Sequence, residues 1–266
     1  MLAQRKARGR SFPHAAPALE RWTLEEDQVP ESRSHDQIAD RLCKLLTYRM
    51  KLLGRDVQVG RNLAIRFDEQ HPRTGIDPDV YLLEPPPPER DELMSLRLWE
   101  PGHNPPRLAV EIVSPSRPGK DYGESPEKYA ACGAEELWVF DPKLAGPKAD
   151  GGPYRLQIWR ADDEGFTRVY AGDGPAFSPV VGGFVFAVNE GRALAISDDE
   201  GGTSFWMSGE EAERAAKEAA LAAKEAERVA KEAERAAKEA ALAAKEEALC
   251  RVAELEARLA AAERAR

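Results

Sequence analysis

Apolar residues at Ile38, Leu42, Leu45, Leu46, Met50 and Leu53 recur three and four apart, which marks one face of a helix. Ser34 is placed to cap its start and Gly54 to stop it. The period then changes from helical to alternating. Val57, Val59, Leu63, Ile65 and Phe67 predict one or two strands, and residues 79–83 and 107–113 predict two more. Between those two lies the proline-rich stretch 84–106, and a loop this long inside a domain is either functional or disordered. A second helix is expected over 121–132, stopped by Gly133 and followed by a strand over 137–140. Turn signals at Gly151-Gly152, Asp163-Glu164-Gly165 and Gly182-Gly183 separate further strands at 154–160, 166–170 and 184–188. The order predicts an α/β domain of the mixed α+β kind, a central mixed sheet flanked by helices rather than a regular βαβ repeat.

The pattern changes again at Ala212, where a seven-residue unit repeats as AERAAKE, AALAAKE, AERVAKE, AERAAKE and AALAAKE. Alanine is the strongest helix former. Glu213, Glu227 and Glu234 each precede a lysine by four residues, a spacing worth roughly 0.2–0.5 kcal/mol per pair. The segment predicts a projecting helix of about 80 Å. Leu249, Val252, Leu255 and Leu259 follow a different phase and suggest a separate contact patch. Two readings stay open here, an alanine-seamed coiled coil and a solvated single helix acting as a spacer. The expected organisation is a loosely ordered lead-in over 1–33, a domain over 34–196, a linker over 197–208 and the long helix over 209–266.

Charge and cysteine usage narrow the setting. The chain of 266 residues carries a net charge of −9. The tail holds 12 Lys and Arg against 14 Asp and Glu, which leaves −7 on residues 1–208. An acidic body is a poor non-specific binder of nucleic acid, so any action on DNA would need a local basic groove. Cys43, Cys132 and Cys250 have no paired spacing, which fits a reducing, cytoplasmic setting and argues against structural zinc. No apolar run approaches the roughly 20 residues that span a bilayer, and no apolar region follows the basic start.

Two acids stand out because they sit in apolar runs. Asp79 precedes Val80-Tyr81-Leu82-Leu83, and Glu111 lies within Leu108 to Val113. A carboxylate buried in a strand is costly unless it is paired, hydrogen-bonded or bound to a metal. If the two strands pair, Asp79 and Glu111 offer hard oxygen ligands to a divalent cation, and the Ile112 backbone carbonyl can add a third. The plainer alternatives are a turn for an Asp after Pro and a solvent-facing Glu. Lys128 can bring an ammonium to the site or pair with Glu124 on its own helix. Asp121 reads best as a cap or first-turn dipole partner, and His35 as the end of the first helix, with a reach into the site as the alternative for each. Signatures of a phosphate loop, a nucleophile elbow and a zinc protease are absent.

The succession PDV, LAVEIVSPS, D-x6-K-Y and CGAEELWVFDP resembles the Uma2 family, bacterial proteins described as restriction endonucleases and assigned to the PD-(D/E)xK nuclease superfamily. The resemblance spans about residues 35–186. It implies a restriction-endonuclease-like mixed sheet and phosphodiester hydrolysis with Mg²⁺ or Mn²⁺. By position, Asp79 and Glu111 match the motif acids. The superfamily lysine would fall at Val113, and Lys128 matches the lysine that replaces it from the next helix. His35 matches a histidine at the start of the family's first helix, while Tyr129 and Trp138 match packing positions. The proline-rich stretch and the alanine-rich tail depart from the pattern. Two functions follow as expectations. One is a Mg²⁺-dependent DNA endonuclease with catalytic Asp79, Glu111 and Lys128, forming a homo-oligomer, such as a dimer, through the domain or the tail. The other is an inactive nuclease fold that serves interaction through its C-terminal helix.

Overall fold

The apolar stripe after Ser34 winds into α1 (Arg33–Leu52), whose Ala39, Leu42, Leu45, Leu46 and Met50 are buried. A computed structural model of the protein describes residues 11–12, 33–148, 152–163 and 165–264. The lead-in expected over 1–33 lies outside them, apart from β1 (Ser11–Phe12) and Arg33. Because α1 already includes Arg33, Ser34 lies inside its first turn and is not the cap. Gly54 does end the turn that follows, at φ 66°, a conformation that favours glycine.

The alternating stretches become β2 (Gln58–Gly60), β3 (Ala64–Arg66), β5 (Val80–Leu83) and β7 (Leu108–Ile112), with β4 (Gly75–Ile76) between them. The proline-rich stretch is ordered. It holds a 3-10 turn (Arg90–Glu92) and β6 (Ser95–Arg97), which pairs parallel to β3. A π-helical turn (Lys120–Glu124) leads into α2 (Ser125–Cys132), and Gly133 closes α2 in the left-handed region at φ 79°. Then come β8 (Glu136–Phe140), β9 (Leu156–Asp162), β10 (Gly165–Gly172), β11 (Ala176–Ser178), β12 (Gly183–Val188) and β13 (Ala193–Ser197).

These strands make a seven-stranded sheet in the order β1-β10-β9-β8-β7-β5-β2 and two three-stranded sheets, β11-β12-β13 and β4-β3-β6. The large sheet is antiparallel except where β7 runs parallel to β8. A parallel neighbour needs a crossover, and the π turn with α2 supplies it. Alternation along the strands divides the core between the two faces. Val80, Leu82, Leu108, Val110, Ile112, Trp138 and Phe140 pack with the apolar face of α1. Tyr81, Leu83, Ala109, Val113, Leu137 and Val139 pack with Tyr129 and Cys132 of α2. The fold is mixed α+β.

The chain divides into two compact units after Gly209. Residues 198–208 carry Trp206 into the first core, with its indole N–H donating to Asp198 Oδ1 at 2.8 Å. The helix α3 (Gly209–Arg264) begins with the last residue of the first unit, makes up the second, and is continuous through the repeat. Lys217–Glu213, Lys231–Glu227 and Lys238–Glu234 pair along it at 2.5–2.6 Å. Leu221, Val229, Leu242, Leu249, Val252 and Leu255 are exposed on it, while the side chain of Leu259 lies outside those described. No described helix is long and apolar enough to cross a membrane.

Candidate metal centre

Register brings the two acids together. β5 and β7 pair antiparallel with Val80 opposite Val110, so one step further sets Asp79 beside Glu111. Asp79 sits at the mouth of β5, where its Oδ2 accepts the Ile112 backbone N–H at 2.6 Å. Its other oxygen, Oδ1, lies 3.0 Å from His35 Nε2 at the start of α1, an ion pair whenever the imidazole is protonated. Glu111 shares the face of Ala109 and Val113 and is 2% exposed. The Tyr129 hydroxyl donates to its Oε1 at 2.7 Å.

The π turn delivers the other charged groups. Asp121 is buried, and the Ser125 hydroxyl donates to its Oδ1 at 3.4 Å. Lys120 Nζ lies 3.7 Å from Glu111 Oε2 and 4.0 Å from Asp121 Oδ1. Lys128, one turn into α2, is buried along its side chain and reaches Glu124 at 3.9 Å.

Burial and crowding of like charge set the acidities. Burial, reinforced by Asp79 and Asp121, pushes Glu111 up to about 8 against the pull of Lys120 and the Tyr129 hydroxyl. Burial likewise pushes Asp121 up to about 6, with Asp79 adding and Lys120 opposing. The same carboxylates, Glu111 foremost, raise Lys120 and keep it protonated. Its side chain retains 43% exposure, so water screens part of that attraction. Lys128 moves the other way, lowered by burial and by the neighbouring Lys120.

Asp79, Glu111 and His35 therefore meet at one place, and Asp121 joins them as a buried acid in the first turn rather than as a cap, which is Gly119. Lys120 is the group that sequence reasoning passed over. It lies nine residues beyond Glu111, in a polar stretch that reads as a loop, and only the π turn swings its ammonium back over the strand end. The donors suit a hard divalent cation, since they are carboxylate oxygens whose mutual repulsion a cation would relieve.

Comparison with known proteins bears on this arrangement. The family model Uma2, "Putative restriction endonuclease", matches residues 16–146, which include every group just described. This stretch is similar to the Uma2 family. No curated protein matches the chain. Among solved structures, a "putative nuclease belonging to DUF820" from Anabaena variabilis ATCC 29413 is 16% identical, over 59% of this chain and 78% of that one, with a TM-score of 0.42.

Much of the matched stretch is scaffold. Asp141, fully buried, accepts the Tyr122 hydroxyl and the backbone N–H groups of Lys143, Ala145 and Gly146, which folds the chain after β8. Glu136 is held by Trp138, Arg160 and Ser178. The proline-rich stretch closes on His103. Its Nε2 lies 2.9 Å from Glu89, and its Nδ1 rests against the backbone of Arg97. Glu89, Glu100 and His103 are the described trio whose ligand atoms lie within 4.8 Å of one another. Asp79, Glu111 and Asp121 form no such trio.

Proposed function

We propose that the Uma2 domain hydrolyses phosphodiester bonds of DNA as an endonuclease, with Mg²⁺ or Mn²⁺ as its cofactor. The observation that supports this best is that the buried acids Glu111 and Asp121 lie within 4.0 Å of the ammonium of Lys120, with the buried Asp79 set beside Glu111 by strand register. Asp79 and Glu111, with the Ile112 carbonyl, would hold the ion. When bound, the ion would lower the pKa of a water and offset charge growing on the phosphate. Lys120 stays protonated and so acts as a fixed positive charge for a phosphate oxygen rather than as a base. Lys128, whose proton burial loosens, is the amine suited to orienting water. His35 and Asp121 are accessory, His35 by steadying Asp79 and Asp121 by holding Lys120.

The test is nicking of supercoiled plasmid by the full chain in Mg²⁺ or Mn²⁺, beside Glu111→Ala, Lys120→Met and Lys128→Met. Glu111→Ala is expected to abolish cleavage with the fold retained. Lys120→Met is expected to lower the rate roughly 10²–10³-fold, the usual loss for one preorganised charge-stabilising group, and more than Lys128→Met does. Cleavage that survives Glu111→Ala would sink the assignment. A folded wild type that binds neither ion nor DNA would favour the second reading, an inactive nuclease fold used for interaction. That reading gains from both oxygens of Asp79 already facing protein partners.

A further inference from the structure

We propose that Tyr129 is a positioning residue of the acid site, whose hydroxyl, by holding Glu111 Oε1, leaves Oε2 as the one oxygen Glu111 can turn to a divalent cation. This deepens the two-carboxylate reading and rests on it.

Packing alone does not account for a tyrosine here. Tyr129 is fully buried among Ala109, Leu137, Val139 and Cys132, where a phenyl ring would fill the same space. The hydroxyl adds one donor, and that donor is aimed at a buried carboxylate at 2.7 Å. A buried hydroxyl needs some partner, and a backbone carbonyl would serve the ring as well. The carboxylate gains more, because its two oxygens become unequal. Oε1 is held by an uncharged donor, while Oε2 faces the ammonium of Lys120 at 3.7 Å.

Asp79 repeats the arrangement with different parts. Its Oδ2 is held by the Ile112 N–H at 2.6 Å, and its Oδ1 faces His35. Each acid thus has one oxygen anchored to the scaffold and one turned towards a basic side chain. The anchor at Tyr129 is itself fixed, because its carbonyl accepts the Ala134 N–H at 3.0 Å as the chain leaves α2 through Gly133. Register holds the Asp79 anchor and the helix end holds the Glu111 anchor, so the two acids are oriented independently.

The consequence is a choice between ions. Mg²⁺ demands near-ideal octahedral geometry and takes one or two carboxylates, one oxygen from each. Ca²⁺ accepts six to eight oxygens and tolerates both oxygens of a single carboxylate. Holding Oε1 denies Glu111 the two-oxygen grip and favours the smaller ion. Releasing it lets the carboxylate turn and grip with both.

The experiment is calorimetric titration of the full-length chain with Mg²⁺ alone and with Ca²⁺ alone. The wild type is compared with Tyr129→Phe, Glu111→Gln and the double variant, with thermal melts alongside. Tyr129→Phe is expected to weaken Mg²⁺ by roughly 10–100-fold, the range for loss of a group that orients a metal ligand. Ca²⁺ should weaken less, so the Ca²⁺ to Mg²⁺ preference rises. In the Glu111→Gln background the same change should alter neither ion. A shifted melt with both affinities unchanged would mean that Tyr129 only packs, and equal weakening of both ions would overturn the oxygen-holding role. A wild type that binds neither ion would instead end the two-carboxylate reading, and this proposal with it. If the phenylalanine variant does not fold, 3-fluorotyrosine at 129 keeps ring and hydroxyl and donates more strongly. It should hold or sharpen the Mg²⁺ preference, and a move towards Ca²⁺ would overturn the proposal.

Discussion

Glu111 keeps its proton in the folded, metal-free protein to a far higher pH than a free glutamate does, and this has a measurable sign. Its carboxyl rises from an ordinary 4.5 to about 8, chiefly through burial. The native state then binds more protons than the unfolded chain, so this stabilisation is complete below about 4.5 and is lost as pH rises through about 8. Asp121 acts likewise across the window from 3.8 to about 6. Glu111→Gln, which mimics the protonated acid, is therefore expected to melt close to the wild type at pH 5 and above it at pH 8. Thermal melts of both proteins across that range, without metal, check this; equal melting temperatures at pH 8 would contradict it. Saturating Mg²⁺ should close the gap by restoring the wild type, since the ion binds the ionised form. Asp79 and Glu111 were legible in the sequence because an acid inside an apolar run demands an explanation. Lys120 was not, because a lysine in a polar turn satisfies every local rule, and its closeness to Glu111 depends on a π turn that no periodicity announces. Asp121 was legible as a helix-start residue but not as a buried one.

At the scale of elements, the crossover between β7 and β8 does most to shape the site. It carries Lys120, Asp121, Lys128 and Tyr129 across the strand ends in one pass, and Gly133 fixes where that pass stops. A Cβ on residue 133 would lie 3.3 Å from Pro105 Cγ, and φ 79° is itself unfavourable for any other residue. Gly133→Ala is expected to cost about 1–2 kcal/mol, the cost of a left-handed L-residue, read as a lower urea midpoint at unchanged slope. The proposed orienting role of Tyr129 adds a second reading, because metal affinity should fall with stability in this variant. The long elements were legible: α1, α2 with its glycine stop, and the strands around Val80, Val110 and Trp138 all follow the apolar pattern. The short strands β4, β6 and β11 hold two or three residues, too few to show alternation, and β6 is hidden among prolines. The proline-rich stretch looked irregular because its order comes from His103 and from pairing with β3, contacts that lie outside its own sequence.

At the scale of the molecule, a domain of net charge −7 and a nearly neutral helix make different demands on a partner. Most charges of α3 are spent within the helix, in pairs three and four residues apart, which leaves its exposed leucines and valines as the means of association. Self-association through α3 is the expected outcome. Sedimentation of the full chain should then give a multiple of 29.4 kDa, and a chain ending at Gly209 should give a monomer with the same metal affinity. A monomeric full chain would make α3 a spacer instead. The path into α3 bears on what such a spacer can transmit. The last residues before it are stitched to the domain: Trp206 is buried, its backbone N–H donates to the Ile196 carbonyl at 2.7 Å, and Arg49 lies over its ring at 4.8 Å. A tether that ended in a slack loop would absorb tension before the domain felt any. Here a pull on the end of the domain meets the indole first, and α1 with it through Arg49, the same helix that carries His35 to Asp79.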